Sequence, residues 1–328
     1  MNGPALTPDA ARYLCELADP AAPRPPTGPD AFFSPAELAE LCAYHAMETV
    51  AWRKLNDTAE TMDRYATLGE TAHAATILTL LLEGHAQKIR RAFDDAGLEW
   101  TFVKGAAFAS ELYAEMADRP YTDLDILVPK SAMAQARDVL KAAGYRHIER
   151  QRPDKDGVYE EEKWMPVGEQ NILIELHTDL VHQPALRKRV SFNYDAFKAA
   201  SGHSERSPIG HLMTAIVHGA LGHKFHQLKL AVDILQAMRA IDENDVDAAL
   251  GAARQLKVRF ELAASARLVQ SLFPTARHNE VIYQFANAVK TPAIINRSTV
   301  VNAHLRDHLP SRIRRHAFRW YQRTMVFS

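Results

Sequence analysis

The chain has 328 residues, 47% of them apolar and 24% charged, with a formal net charge of −1. This is the composition of a globular protein with material for one large or two moderate cores, and a charge so near zero excludes a global pull toward nucleic acid or membrane, leaving any such role to local patches. Cys15 and Cys42 are the only cysteines, too few for a disulfide framework or a zinc cluster.

Met1 to Asp19 lacks the basic start and apolar core of a signal peptide, and no uncharged apolar run approaches the roughly 18 residues of a membrane span. A soluble, cytoplasmic protein without a membrane partner is expected. A short helix over about Pro8 to Leu17 leads into ADPAAPRPPTGPD, where five prolines within thirteen residues prevent regular structure and make a linker. Ser34 with Glu37 three residues on forms a capping box, predicting a helix to about Leu55. A longer helix is expected over roughly Ala59 to Ala96, closed by Gly97. From Trp100 short strands and helices alternate. Ser131 caps a helix through Ala143, Gly144 ends it, and Tyr145 to Gln151 is a strand. Arg152 to Gly157 is a turn, and Val158 to Pro166 with Asn171 to His177 form an antiparallel pair closed near Gly168. From Pro208 the chain is helical again, with breaks near Ala240, Gly251, Pro274 and Pro292. The expected units are therefore residues 1–30, 31–99, 100–182 and 183–328: an N-terminal segment with its linker, a helical region, an α/β core and a second helical region.

The chemistry concentrates in Thr101 to Val128, TFVKGAAFASELYAEMADRPYTDLDILV. An apolar run reaches Lys104-Gly105, and an alanine-rich helical segment follows at once. Unpaired amides at a helix start, a glycine that admits close approach and a lysine suit a phosphate, although a Lys-Gly pair is also a common plain turn. Asp123-Leu124-Asp125 then opens an apolar strand. Residues two apart on a strand share a face, so the carboxylates converge and repel unless a cation lies between them, and such oxygen-rich sites suit Mg²⁺. The bland alternative is a solvated strand edge. A phosphate cradle followed by a carboxylate pair suggests a nucleoside triphosphate held with its metal.

Val103-Lys104-Gly105, the helix, and Arg119-Pro120-Tyr121-Thr122-Asp123-Leu124-Asp125-Ile126-Leu127-Val128 together resemble a largely uncharacterised family of nucleotidyltransferases with the DNA polymerase β-like fold. The resemblance implies an α+β chain: a small mixed sheet, flanked by N-terminal helices and a C-terminal helical domain. It also implies a third acid on a neighbouring strand, and Ile174-Glu175-Leu176-His177 fits that pattern, making Glu175 the candidate. An outward-facing edge glutamate is the plainer reading of the same residue. His218, Gly219, His223, Leu228, Lys229 and Asp233 are similar to a second family segment, in which Lys229 would contact the triphosphate. Alternatively, Lys229 and Asp233, four apart on one helix, form a simple ion pair. His223 and His226 have helical spacing, but without a nearby cysteine or acid they are expected to line a cleft or be buried rather than bind zinc.

The implied function is Mg²⁺-dependent (alternatively Mn²⁺-dependent) transfer of a nucleoside monophosphate from a triphosphate to a hydroxyl acceptor, releasing pyrophosphate. Asp123, Asp125 and Glu175 would be the catalytic metal ligands, with Lys104, Gly105 and Lys229 holding the nucleotide. Arg119 is expected to tie its loop to the D-x-D strand. The chain departs from well-known relatives in its Gly105-Ala106 turn, which lacks a serine hydroxyl, and in the eighteen-residue step from Gly105 to Asp123; Lys104 is expected to compensate. The acceptor is open among a small molecule, a protein side chain and tRNA. Two alternatives remain, a catalytically silent nucleotide-binding module and a toxin-like tRNA nucleotidyltransferase. Ser311 to Arg323 carries five arginines, no acid and interleaved aromatics, so Arg312 to Arg323 would be the nucleic-acid surface if there is one, or else a solvated face over packed aromatics.

Overall fold

The computed structural model describes residues 4–151, 159–169, 171–202, 204–305 and 307–324. α1 (Pro8–Ala18) is capped by Thr7, and α2 (Pro35–His45) starts in the expected capping box, the Ser34 amide donating to Glu37 and the Glu37 amide to Ser34 Oγ at 2.9 and 3.3 Å. The helix expected to reach Leu55 stops at Ala46, which turns left-handed at φ 52°, and resumes as α3 (Glu48–Leu55). The next predicted helix is likewise split, at Tyr65, into α4 (Ala59–Arg64) and the 30-residue α5 (Ala66–Asp95). Gly97 follows at φ 63°, the left-handed position that its lack of a Cβ suits.

β1 (Thr101–Val103) leads through Lys104 into α6 (Gly105–Glu111), and β2 (Asp123–Leu127) into α7 (Met133–Ala142). Ser131 lies within a single 3₁₀ turn before α7 rather than at its cap. β3 (Tyr145–Gln151), β4 (Glu161–Pro166) and β5 (Leu173–His177) complete one mixed sheet in the order β1-β2-β5-β4-β3. The expected β4–β5 hairpin forms, with Gly168 at φ 91°; the predicted Arg152–Gly157 turn lies outside the described residues. β5 also pairs in parallel with β2, placing Asp125 opposite Glu175 and Leu127 opposite His177.

The pleat then sorts the side chains. Leu124, Ile126, Ile174, Leu176 and Trp164 bury one face of the sheet against Leu82, Ala86, Ile89 and Phe93 of α5 and Met133, Ala136 and Leu140 of α7. The polar residues of β2 and β5 are left for the opposite face. There the chain supplies α8 (Pro184–Arg187), α9 (Tyr194–Ser201), α10 (Pro208–Ile216), α11 (Leu228–Arg239), α12 (Val246–Gln255), α13 (Arg259–Leu272), α14 (Glu280–Asn287), α15 (Arg297–Val301) and α16 (Leu309–Thr324). These pack with α1–α3 into a second apolar cluster that reaches Val103, Phe108 and Leu127. Breaks fall after Arg239, at Pro274 and around Pro292 as expected, but Gly251 does not break its helix: it sits exposed inside α12, and the break comes at Lys257, φ 58°. The fold is α+β, as the sequence indicates. No helix among the described residues is long and apolar enough to cross a membrane.

Candidate active site

Between the polar face of β2–β5 and the start of α11 lies a cavity of about 520 Å³, lined by Lys104, Gly105, Arg119, Thr122, Asp123, Asp125 and Glu175 on one side and by His182, His218, His223, His226 and Lys229 on the other. Every residue singled out from the sequence as a metal or nucleotide ligand thus lines one cavity.

Asp125 is its centre. Its Oδ1 accepts from Lys104 Nζ at 2.6 Å and from His177 Nε2 at 3.0 Å, and all three side chains are almost fully buried. Burial pushes the Asp125 carboxyl up, but Lys104 and the His177 hydrogen bond outweigh it and hold it well below the usual carboxylate range. His177 shows the converse: burial opposes its charge, yet hydrogen bonds to Asp125 and Glu175 raise it to about 9, so it stands as an imidazolium at neutral pH. Its Nε2 is 3.5 Å from Glu175, and its Nδ1, without a hydrogen-bond partner among the described residues, lies 3.8 Å from Glu161. Glu161 is in turn bound by Tyr159 and His182, which carries the polar network back to the cavity wall.

Asp123 has the opposite environment. It is half-buried at the strand start, and burial, reinforced by Asp125, raises its carboxyl to about 6. One aspartate therefore has its countercharge built in, while the other has an unmet need for one. Asp125 and Glu175 offer carboxylate oxygens within 4.8 Å of one another and of a His177 ring nitrogen, but His177, charged, serves as their hydrogen-bond partner rather than as a ligand. Carboxylate oxygens converging beside an under-compensated Asp123 fit a hard divalent cation such as Mg²⁺.

Lys104 reaches Asp125 from a left-handed backbone, φ 60° and ψ −135°, an unusual conformation for a residue with a Cβ. Gly105 lies in close approach: a Cβ there would sit 3.2 Å from the Asp123 carbonyl oxygen and 3.3 Å from the Tyr121 side chain, tighter than ordinary van der Waals contact. The turn is thereby locked to the start of the acidic strand.

Two expectations about the opposite wall are corrected. Lys229 and Asp233 do not pair. Asp233 accepts two hydrogen bonds from Arg119, Nε at 3.0 Å and Nη2 at 2.8 Å, and a third from Tyr113 at 2.7 Å. Arg119 therefore ties its loop to α11, not to the D-x-D strand. Lys229, with its carboxylate neighbour taken, points into the cavity. Burial first and then Arg119 lower its ammonium to about 8. The segment preceding it is not one helix, either. α10 widens into a π-helical turn at Val217–Gly222, and left-handed Lys224 and Phe225 then redirect the chain into α11. This break carries His218, His223 and His226 to the cavity edge, with ring centroids 4.6 and 5.1 Å apart in sequence. They line a cleft, one of the two placements expected for them.

The basic segment forms α16, whose Phe318 packs on Phe225 and Phe260 and whose Arg319 donates to the Gly222 carbonyl at 3.2 Å, behind the cavity rim. Trp320 stays exposed. Sequence reasoning passed over His177 and His182 as members of the polar network. For His177 the alternation of β5 was the available signal, since it puts His177 on the same face as Glu175.

An α+β fold whose mixed sheet opens two aspartates of one strand onto a helical wall bearing Lys229 is consistent with a nucleotidyltransferase fold. The chain belongs to the family described as "uncharacterised nucleotidyltransferase", whose model matches residues 33–274, about three quarters of its length. No curated protein shows significant similarity to it.

Proposed function

We propose that this nucleotidyltransferase moves a nucleoside monophosphate from a nucleoside triphosphate to a hydroxyl acceptor and releases pyrophosphate, using Mg²⁺ or, in its place, Mn²⁺. The observation that carries this reading is the in-register pair Asp125 and Glu175 on parallel strands, with Asp123 one pleat away and Lys104 and Lys229 converging on the same cavity.

Asp123, Asp125 and Glu175 would hold the metal, which when bound neutralises triphosphate charge and favours the attacking oxygen in its deprotonated form. Lys104 and Lys229 supply cations for the β and γ phosphates, and Gly105 leaves room for them beside the strand start. The acceptor oxygen bonds to the α-phosphorus as the bond to the β-phosphate oxygen breaks. The hydroxyl proton passes to the Glu175 carboxylate, and the electron pair of the broken bond leaves with pyrophosphate. His177 fixes the orientation of Asp125 and Glu175 through its Nε2. Arg119, held by Asp233, keeps the acidic loop and α11 at a fixed separation, so that the two walls act as one site. We also propose that the chain divides into residues 1–30, 31–99, 100–182 and 183–328, and that it is cytoplasmic.

The test uses triphosphates labelled at the α-phosphate, incubated with Mg²⁺ and with small-molecule, protein and RNA fractions of a cell extract in turn. Label should pass to one fraction with stoichiometric pyrophosphate release, and Asp125→Asn and Glu175→Gln should each abolish it. Transfer that survives both substitutions would overturn the mechanism.

A further inference from the structure

Ile77, Leu80 and Leu81 on the outer face of α5 belong neither to the cavity lining nor to either apolar cluster. The inward residues of this helix, Leu68, Ala72, Thr79, Leu82, Ala86, Ile89 and Phe93, are buried. On the opposite face Ile77, Leu80 and Leu81 are 59, 63 and 53% exposed. Three large aliphatic side chains in one exposed helical turn are unusual on a solitary surface. Their neighbours on that face, Glu70, His73, Ala74, Gly84, Gln87, Lys88 and Arg91, are also exposed. Glu70, Ile77, Gly84 and Arg91 recur every seven residues, with Ala74, Leu81 and Lys88 between them. Positions at this spacing share one seam of the helix, so Ile77 and Leu81 lie at its middle between charged residues toward its two ends.

The ends of the seam indicate which helix. Glu70 stands at one end and Arg91 at the other, 21 residues apart, and both are exposed. We infer that α5 is the contact between two copies of this chain, packed antiparallel about a twofold axis between Leu80 and Leu81. That axis sets Leu80 against Leu81, Ile77 against Gly84, and Glu70 against Arg91, each pair occurring twice. Gly84 has open space where a Cβ would be, so it can receive the Ile77 side chain. A parallel arrangement would instead juxtapose Glu70 with Glu70 and Arg91 with Arg91. The seam from Glu70 to Arg91 is about 33 Å long at 1.5 Å per residue and about 12 Å wide. It would bury on the order of 800 Å² in total, below a standard stable interface and in the range of weak, transient association, so a dimer dissociating at roughly tens of micromolar is expected.

Sedimentation velocity on the full chain between about 1 and 100 µM should show monomer passing to dimer. Leu80→Glu with Leu81→Glu should leave a monomer throughout, with unchanged far-ultraviolet circular dichroism. Glu70→Arg and Arg91→Glu should each weaken the dimer about tenfold, and the double exchange should restore it. A monomer at every concentration would overturn the inference. So would a dimer indifferent to the Leu80/Leu81 change, or single charge changes that the double exchange does not rescue. None of these outcomes bears on nucleotide transfer, because no residue of the seam lines the cavity.

Discussion

Asp123 and Asp125 lie two residues apart on one strand, yet removing their charges should have opposite effects on stability. Asp125→Asn leaves the Lys104 ammonium and the His177 imidazolium buried without the carboxylate that both contact, at 2.6 and 3.0 Å. Breaking a buried pair by removing one partner costs about 3–5 kcal/mol. Asp123 carries the reverse sign. Its folded carboxyl titrates near 6 rather than 3.8, so the fold prefers the protonated form. Stability is fully present below about pH 4, falls as pH rises through 6, and is level above that. A shift of two units corresponds to roughly 3 kcal/mol at most. Because Asp123 is only half-buried, a gain of about 1–2 kcal/mol is expected for Asp123→Asn at pH 8. Urea denaturation of both variants without divalent cation at pH 8 should therefore rank Asp123→Asn above wild type and Asp125→Asn well below it, and at pH 4 the Asp123→Asn advantage should vanish. Equal stabilities for the two variants at pH 8 would refute the electrostatic account of the site.

Arg119→Ala should cost about 3–5 kcal/mol by stranding buried Asp233, whereas Arg119→Met with Asp233→Leu should recover most of it; a single variant within about 1 kcal/mol of wild type would contradict the two-wall arrangement. Gly105→Ala should lower stability by about 1–3 kcal/mol and impair transfer by displacing the Asp123 backbone. Gly251→Ala, where a Cβ meets nothing within 4 Å, should stabilise by about 0.5–1 kcal/mol, and the same denaturation curves compare the two. His45 is fully buried. It accepts the Leu228 amide at Nδ1 and faces the Val301 carbonyl with Nε2, each at 3.2 Å. Burial lowers it to about 3 from 6.5, so stability should be lost as pH falls below 6.5, about 2 kcal/mol by pH 5. Denaturation at the two pH values should show a smaller difference for His45→Gln, and parallel pH dependence in the two proteins would exclude this role.

What the sequence made legible was local or periodic. The Ser34–Glu37 box is set by spacing alone, and Asp123-Leu124-Asp125 could be placed at a strand start because Ile126 to Val128 continue it. Glu175 could be paired with them through the family pattern. The helix breaks at Ala46 and Tyr65 were hidden because neither residue is a glycine or proline, and their backbones are set by tertiary packing. Gly251 misled for the complementary reason: an exposed helix interior tolerates the modest penalty of a glycine. Asp233 misled most. Its nearest candidate partner in sequence was Lys229, four residues away, but a bidentate guanidinium 114 residues distant and a tyrosine hydroxyl make the better-satisfied buried site. That choice frees Lys229 for the cavity and could be seen only once α11 and the Arg119 loop were side by side.

The central claim is that Asp123 and Asp125 hold a nucleoside triphosphate through a divalent cation. Calorimetric titration of the full chain with ATP, GTP, CTP and UTP, with and without Mg²⁺, beside the Asp123→Asn/Asp125→Asn double variant, tests it most directly. The account predicts Mg²⁺-dependent binding of at least one nucleotide by the wild type and its loss in the variant. Equal binding by the two proteins, or no binding of any of the four, would contradict it.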